Sequence, residues 1–133
     1  MTVTDDQGLV VQDAEVGAEK YIGAHPPLFS AEDVTEIAKR SFGVTGKPRP
    51  LWGERDQNTA LHAETGPSHV LKISNVMEKP QELDLQLRAL MWLQDTAPDL
   101  PVPRLRRTLD GDLTTRATSA SGDTHTVHCL TLL

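Results

Sequence analysis

The sequence predicts an α+β domain: a twisted, mostly antiparallel sheet of about five strands, one helix packed on it and an extra N-terminal helix. Three observations carry this prediction. Apolar residues recur at helical spacing over two stretches, 30–42 and 80–96. Elsewhere after residue 50 the period falls to two, in short runs bounded by Gly, Asp and Ser. The connections between those runs are short turns, which return each strand against its neighbour.

Residues 1–27 show no clean period and end in His25-Pro26-Pro27, the signature of a tail or linker. Ser30 opens the first helix, with Asp33 three positions on as an imperfect capping box. Val34, Ile37 and Ala38 share one face, and Phe42-Gly43 closes the element. Gly46, Pro48 and Pro50 punctuate the exit. A short strand at 50–52 leads through the GERDQ loop into a second at 58–63. A turn at 64–68 returns the chain as a third strand, 69–74. In that strand His69, Leu71 and Ile73 face one way and Val70, Lys72 and Ser74 the other. Pro80 suits the first turn of a helix that runs to about Thr96, and Pro98, Pro101 and Pro103 stop it. The remainder reads as a meander, 104–109, 113–120 and 125–133, joined by Asp110-Gly111 and Ser121-Gly122-Asp123 turns.

The chain has 133 residues, one domain's worth, with 38% hydrophobic and 24% charged residues. Its formal net charge of -6 excludes a broad nucleic-acid surface or an anionic-membrane surface, which need clustered Lys and Arg. Any anion it binds must therefore be held by a local site. The N-terminus carries no signal-peptide pattern, and no apolar run reaches the length of a membrane span. Cys129 is the single cysteine, so no intrachain disulfide forms, and a cytoplasmic location is expected.

Lys72 is the residue with no evident structural use, an ammonium between Leu71 and Ile73. A strand lysine can snorkel to water. Otherwise it is a fixed cation facing an anionic ligand, and its site must supply counter-charge. The GERDQN loop before it begins with Gly53, which permits close approach of backbone to a ligand. It matches neither the Walker A nor the protein-kinase glycine pattern, and alone it reads as a polar hairpin loop. In the helix that follows, Leu83, Leu87, Leu90, Met91 and Leu93 form an apolar arc. Gln86 falls inside that arc, with Glu82 and Asp84 near its edges, so Gln86 needs a hydrogen-bond partner. Metal sites fail on geometry. A strand sends His125 and His128 to opposite faces, His62 and His69 lack a third ligand, and Asp110-Gly111-Asp112 is a turn.

"GERDQNTAL", "HVLKISN", "LDLQLRALMWL" and "PDLPVPRL", in this order, resemble the hydroxylysine kinase branch of the aminoglycoside phosphotransferase and choline kinase superfamily. Similar modules occur fused ahead of class III aminotransferases. The resemblance covers residues 28–133 and implies a kinase-like N-terminal lobe that binds ATP. It implies that Lys72 grips the nucleotide's α- and β-phosphates and that Gly53, Glu54, Arg55, Asp56, Gln57 and Asn58 form the loop over them. Thr131, Leu132 and Leu133 would reach the hinge that holds adenine. Phosphoryl transfer rests on positioning and charge neutralisation, which is the work such residues do.

The sequence departs from the family in two ways. The helix position that commonly carries a glutamate partner for the lysine is Gln86 here, with Glu82 or Asp84 as alternatives. The catalytic lobe, which carries the aspartate base and most Mg2+ ligands, does not follow in these residues. The expectation is thus the nucleotide-binding lobe of a small-molecule kinase for an amino-group-bearing alcohol, with these residues alone inactive. Rival expectations are a non-catalytic interaction module and a regulatory lobe fused to an aminotransferase. The apolar C-terminal strand, ending in Cys129, Leu130, Leu132 and Leu133, is expected to be an exposed edge open to self-association.

Overall fold

The computed structural model describes residues 26–132 and, ahead of them, only the backbone of a two-residue ladder pairing Asp5–Asp6 with Gly8–Leu9. The expected tail thus lies almost entirely outside the described residues, as does Leu133. Among the described residues no helix is long and apolar enough to cross a membrane.

The first helix, α1, spans Ala31–Ile37, and Ser30 caps it by accepting the Asp33 N–H at 3.1 Å. It runs on as a π-turn over Ala38–Phe42 and ends at Gly43, whose φ of 66° is the left-handed C-cap. The wider turn brings Phe42, not Ser41, round to the packed face: Phe42 is fully buried beside Val34, Ile37 and Ala38.

Six strands form one antiparallel sheet: β1 (Lys47–Leu51), β2 (Gln57–His62), β3 (His69–Ile73), β4 (Arg104–Arg106), β5 (Thr115–Thr118) and β6 (Thr124–Thr131). The order is β1-β2-β3-β6, with β4 pairing the C-terminal half of β6 and β5 its N-terminal half. The two short strands divide one side of β6 because the expected 104–109 and 113–120 strands shorten to three and four residues. β1 starts earlier than the 50–52 expected. Pro48 and Pro50, read as punctuation, sit inside it. Proline has no N–H to offer a ladder, so it suits an edge strand, and β1 is the outer strand here.

The C-terminal strand is not an edge. Val127 to Thr131 of β6 pair with β3 on one side, and β4 and β5 pair on the other. The expected exposed edge is corrected accordingly, because the meander folds its last strand back into the middle of the sheet.

Alternation gives the sheet two distinct faces. Leu61, Leu71, Ile73, Val127 and Cys129 pack under α1 and its π-turn, with Val44 and Ala117 completing the main core. The second helix, α2, spans Pro80–Thr96 as expected, with Pro80 in its first turn. It packs on the other face at the β4 margin, where Leu83 and Leu87 meet Leu113, Leu105 and Met91. The register sets Leu105 opposite Leu130, and Leu130 opposite Val70, so α2 lies on the sheet face that carries Lys72.

Candidate functional site

Lys72 stands in a cross-strand row. The register places Leu51 opposite Asn58, Asn58 opposite Lys72, and Lys72 opposite His128. Directly paired residues share a face, with Cβ atoms about 5 Å apart. The lysine stem is half-buried, and its ammonium forms no hydrogen bond or ion pair among the described residues. His128 is buried, at 6% exposed. Burial lowers its pKa to about 4, with Lys72 pushing the same way and the Asp56 carboxylate opposing. The imidazole is therefore neutral at neutral pH, and the local charge is that of the lysine with Asp56 nearby.

Two buried polar atoms in this row have no partner: Asn58 Oδ1 and His128 Nδ1. The Asn58 amide is oriented by a long contact, Nδ2 donating to the Trp52 carbonyl at 3.5 Å, which leaves Oδ1 as the buried acceptor. Such atoms normally find a partner, so the row carries unsatisfied polarity around an unpaired cation.

The loop between β1 and β2 is fastened from below. Asp56 accepts the Asn75 N–H at 3.0 Å, and Asn75 Nδ2 donates to the Arg55 carbonyl at 3.3 Å. The Asn75 side-chain oxygen accepts the Met77 N–H at 2.8 Å, so one buried asparagine ties the loop to the chain after β3. Sequence reasoning did not single out Asn75. Its only signal was its place directly after the strand, where asparagine commonly bonds nearby backbone. Gly53 has a structural reason of its own: a Cβ there would lie 2.3 Å from the Asp56 carbonyl oxygen and 2.7 Å from Asn58 Nδ2. The glycine lets the loop close on itself. Glu54 and Arg55 remain exposed at the loop tip.

The other expected residues separate. Gln57 lies on the α1 face, and its amide clasps Phe29, accepting the backbone N–H at 2.7 Å and donating to the carbonyl at 2.8 Å. Glu82 pairs with Lys79 at 3.8 Å and Asp84 with Arg88 at 2.8 Å. Gln86 is exposed, contrary to its expected place on the apolar face. The polar residue on the packed face is Gln94, whose side-chain oxygen accepts the Leu105 N–H and ties α2 to β4. The helix is rotated so that Leu83 and Leu87 are central, which moves Gln86 to the water side and brings Gln94 in. Thr131 ends β6 opposite His69 and Arg104, and the Leu132 N–H donates to the Ser68 carbonyl at 2.8 Å.

The histidines follow the alternation. His125 donates from Nδ1 to the Ser74 carbonyl at 2.9 Å and meets the Phe29 ring edge-on at 5.6 Å, on the face opposite His128. His62 and His69 also lie on opposite faces. Among the described residues no group of three or more His, Cys, Asp or Glu side chains is placed to hold a metal. An open recess of about 380 Å³ lies on the Lys72 face, between the start of α2 (Pro80, Gln81, Leu83, Asp84) and Arg116 and Thr126 of the sheet, with Thr114 just ahead of β5. Thr126 is two residues from His128, so the recess adjoins the row.

No protein-family model and no curated protein matches this chain. Among solved structures it is similar to a microcompartment-associated aminopropanol kinase, at 15% identity and a TM-score of 0.63. The likeness covers 78% of this chain and 32% of that one. The fold is that of a kinase-like N-terminal lobe. The antiparallel sheet with a helix packed on one face agrees with that fold. The chain spans about a third of the neighbour's length.

Proposed function

We propose that this lobe binds the phosphates of ATP within a small-molecule phosphotransferase that acts on the hydroxyl of an amino-group-bearing metabolite. One observation carries the reading: Lys72, a half-buried side chain whose ammonium has no ion pair among the described residues, at the middle of β3 on the face that carries α2. A cation so placed is free to take an anion, and a net charge of -6 leaves no general reason for anion binding elsewhere. The nucleotide's phosphates fit the charge present, because Lys72 is a cation that no carboxylate pairs with among the described residues. Lys72 would neutralise phosphate charge, and the loop from Gly53 to Asn58, held by Asn75, would cover the phosphates. A nucleotide supplies the transferable phosphoryl group. Magnesium is given no site on these residues.

The amino-alcohol acceptor is supported by the motif resemblance to hydroxylysine kinases and by the neighbour's being an aminopropanol kinase. The hinge role of Thr131, Leu132 and Leu133 belongs to the same reading. The test is calorimetric titration of the full chain with ADP and ATP. Lys72→Ala should weaken binding by about tenfold or more, the worth of a hydrogen bond to a charged group, while the chain stays folded. Equal affinity in wild type and variant, or no binding at millimolar nucleotide, would sink the proposal.

A further inference from the structure

The row around Lys72 assigns the lysine a partner that the helix does not supply. Glu82 is engaged by Lys79 just before the helix and Asp84 by Arg88 within it, and Gln86 is exposed. Asn58 and His128 flank Lys72 directly, one on each neighbouring strand. Both present a buried atom able to accept a hydrogen bond, and both atoms lack a partner. An ammonium has three donors and needs acceptors of this kind. We propose that Asn58 and His128 are the positioning residues of Lys72: its ammonium bonds neither atom in this structure, and a turn of the lysine side chain sets it between Asn58 Oδ1 and His128 Nδ1 in the phosphate-gripping pose.

The arrangement has a chemical consequence. A carboxylate partner cancels part of the lysine's charge. An amide oxygen and a neutral imidazole orient the ammonium and leave its full charge for phosphate. For Nδ1 to accept, the imidazole proton must sit on Nε2, so the tautomer is fixed by the role. Burial keeps the ring uncharged, and protonation would turn the acceptor into a second cation beside the first. The carboxylate facing this group is Asp56, which the Asn75 backbone amide holds at the loop. From β5, Arg116 is set opposite Thr126, the next residue along the row's face of β6.

This inference rests on the nucleotide reading for its purpose, and its first measurement does not. Nitrogen-15 NMR of the nucleotide-free full chain should show His128 as the Nε2–H tautomer. The Lys72 ammonium protons should be slowed in exchange and shifted by His128→Leu and by Asn58→Leu. ADP titration follows. His128→Leu and Asn58→Leu should each weaken binding about tenfold, and His128→Gln, which restores an acceptor, should recover most of it. If the NMR coupling appears and no nucleotide binds, the nucleotide reading falls and the positioning role stands. An Nδ1–H tautomer overturns the positioning role. So does a Lys72-dependent ADP affinity that the leucine variants leave unchanged. Loss of that affinity only in Asp56→Asn would overturn it as well, by naming the carboxylate as the partner.

Discussion

Lys72 and His128 stand directly opposite one another on adjacent antiparallel strands, an ammonium beside an imidazole that burial keeps uncharged. The pairing makes the pH response of this lobe readable. Folded His128 titrates at about 4, whereas an unfolded histidine titrates near 6.5. Between those values the unfolded chain binds more protons, so lowering the pH favours unfolding. The contribution of His128 is full above about pH 6.5 and lost as pH falls toward about 4, a span worth at most about 3 kcal/mol. His69, held below its ordinary value by burial and secondarily by Arg106, acts in the same direction. Urea unfolding of wild type and His128→Gln should show a stability difference that changes between about pH 7 and about pH 5. A constant difference would contradict the assignment.

Gln57→Ala should destabilise the fold by about 1–3 kcal/mol, since two hydrogen bonds to Phe29 are lost at the entrance to α1. Its amide lies on the face away from Lys72, so nucleotide affinity should change little once folding is accounted for. Chemical denaturation and ADP titration of the same sample separate the two effects. A large loss of affinity with unchanged stability would place Gln57 in the ligand site instead.

Gly53→Ala should disturb the loop, because the new methyl would meet the Asp56 carbonyl oxygen at 2.3 Å. Backbone there must shift, at a cost of about 1–3 kcal/mol, and the Asp56 bond to Asn75 shifts with it. Amide exchange at Asn75 should speed up in the variant. Unchanged exchange would mean that the loop yields elsewhere.

Gln94→Ala should cost more than Gln86→Ala. The first leaves the part-buried Leu105 N–H without its acceptor, worth about 1–3 kcal/mol, and loosens α2 from β4. The second removes an exposed side chain and should fall within about 0.5 kcal/mol of wild type. Thermal melts of the two variants decide it, and the reverse order would overturn this rotation of α2.

Local signals were enough for much of this molecule. Ser30, Gly43 and Pro80 mark helix boundaries because caps and first turns depend on a few adjacent residues. Alternation along β3 put Lys72 on the face away from Leu71, and alternation along β6 separated His125 from His128. Both hold because a strand's period is a property of its own backbone. The motif resemblance added a kinase-like lobe, and the fold agrees with it.

What only the tertiary structure decided is who stands beside whom. The period of β6 says which way His128 faces, and the pairing of β6 with β3 is needed to set it against Lys72. That register is fixed by non-local ladder bonds and by the burial of Leu71, Val127 and Cys129 under α1. The same packing took β6 into the sheet interior, although its sequence reads as an open apolar edge. The rotation of α2 likewise follows from where Leu105 and Leu113 receive Leu83 and Leu87, and it exchanged Gln86 for Gln94 on the packed face. Sequence period fixes a side chain's direction within its own element; the partner it meets depends on how distant elements bury their apolar surface together.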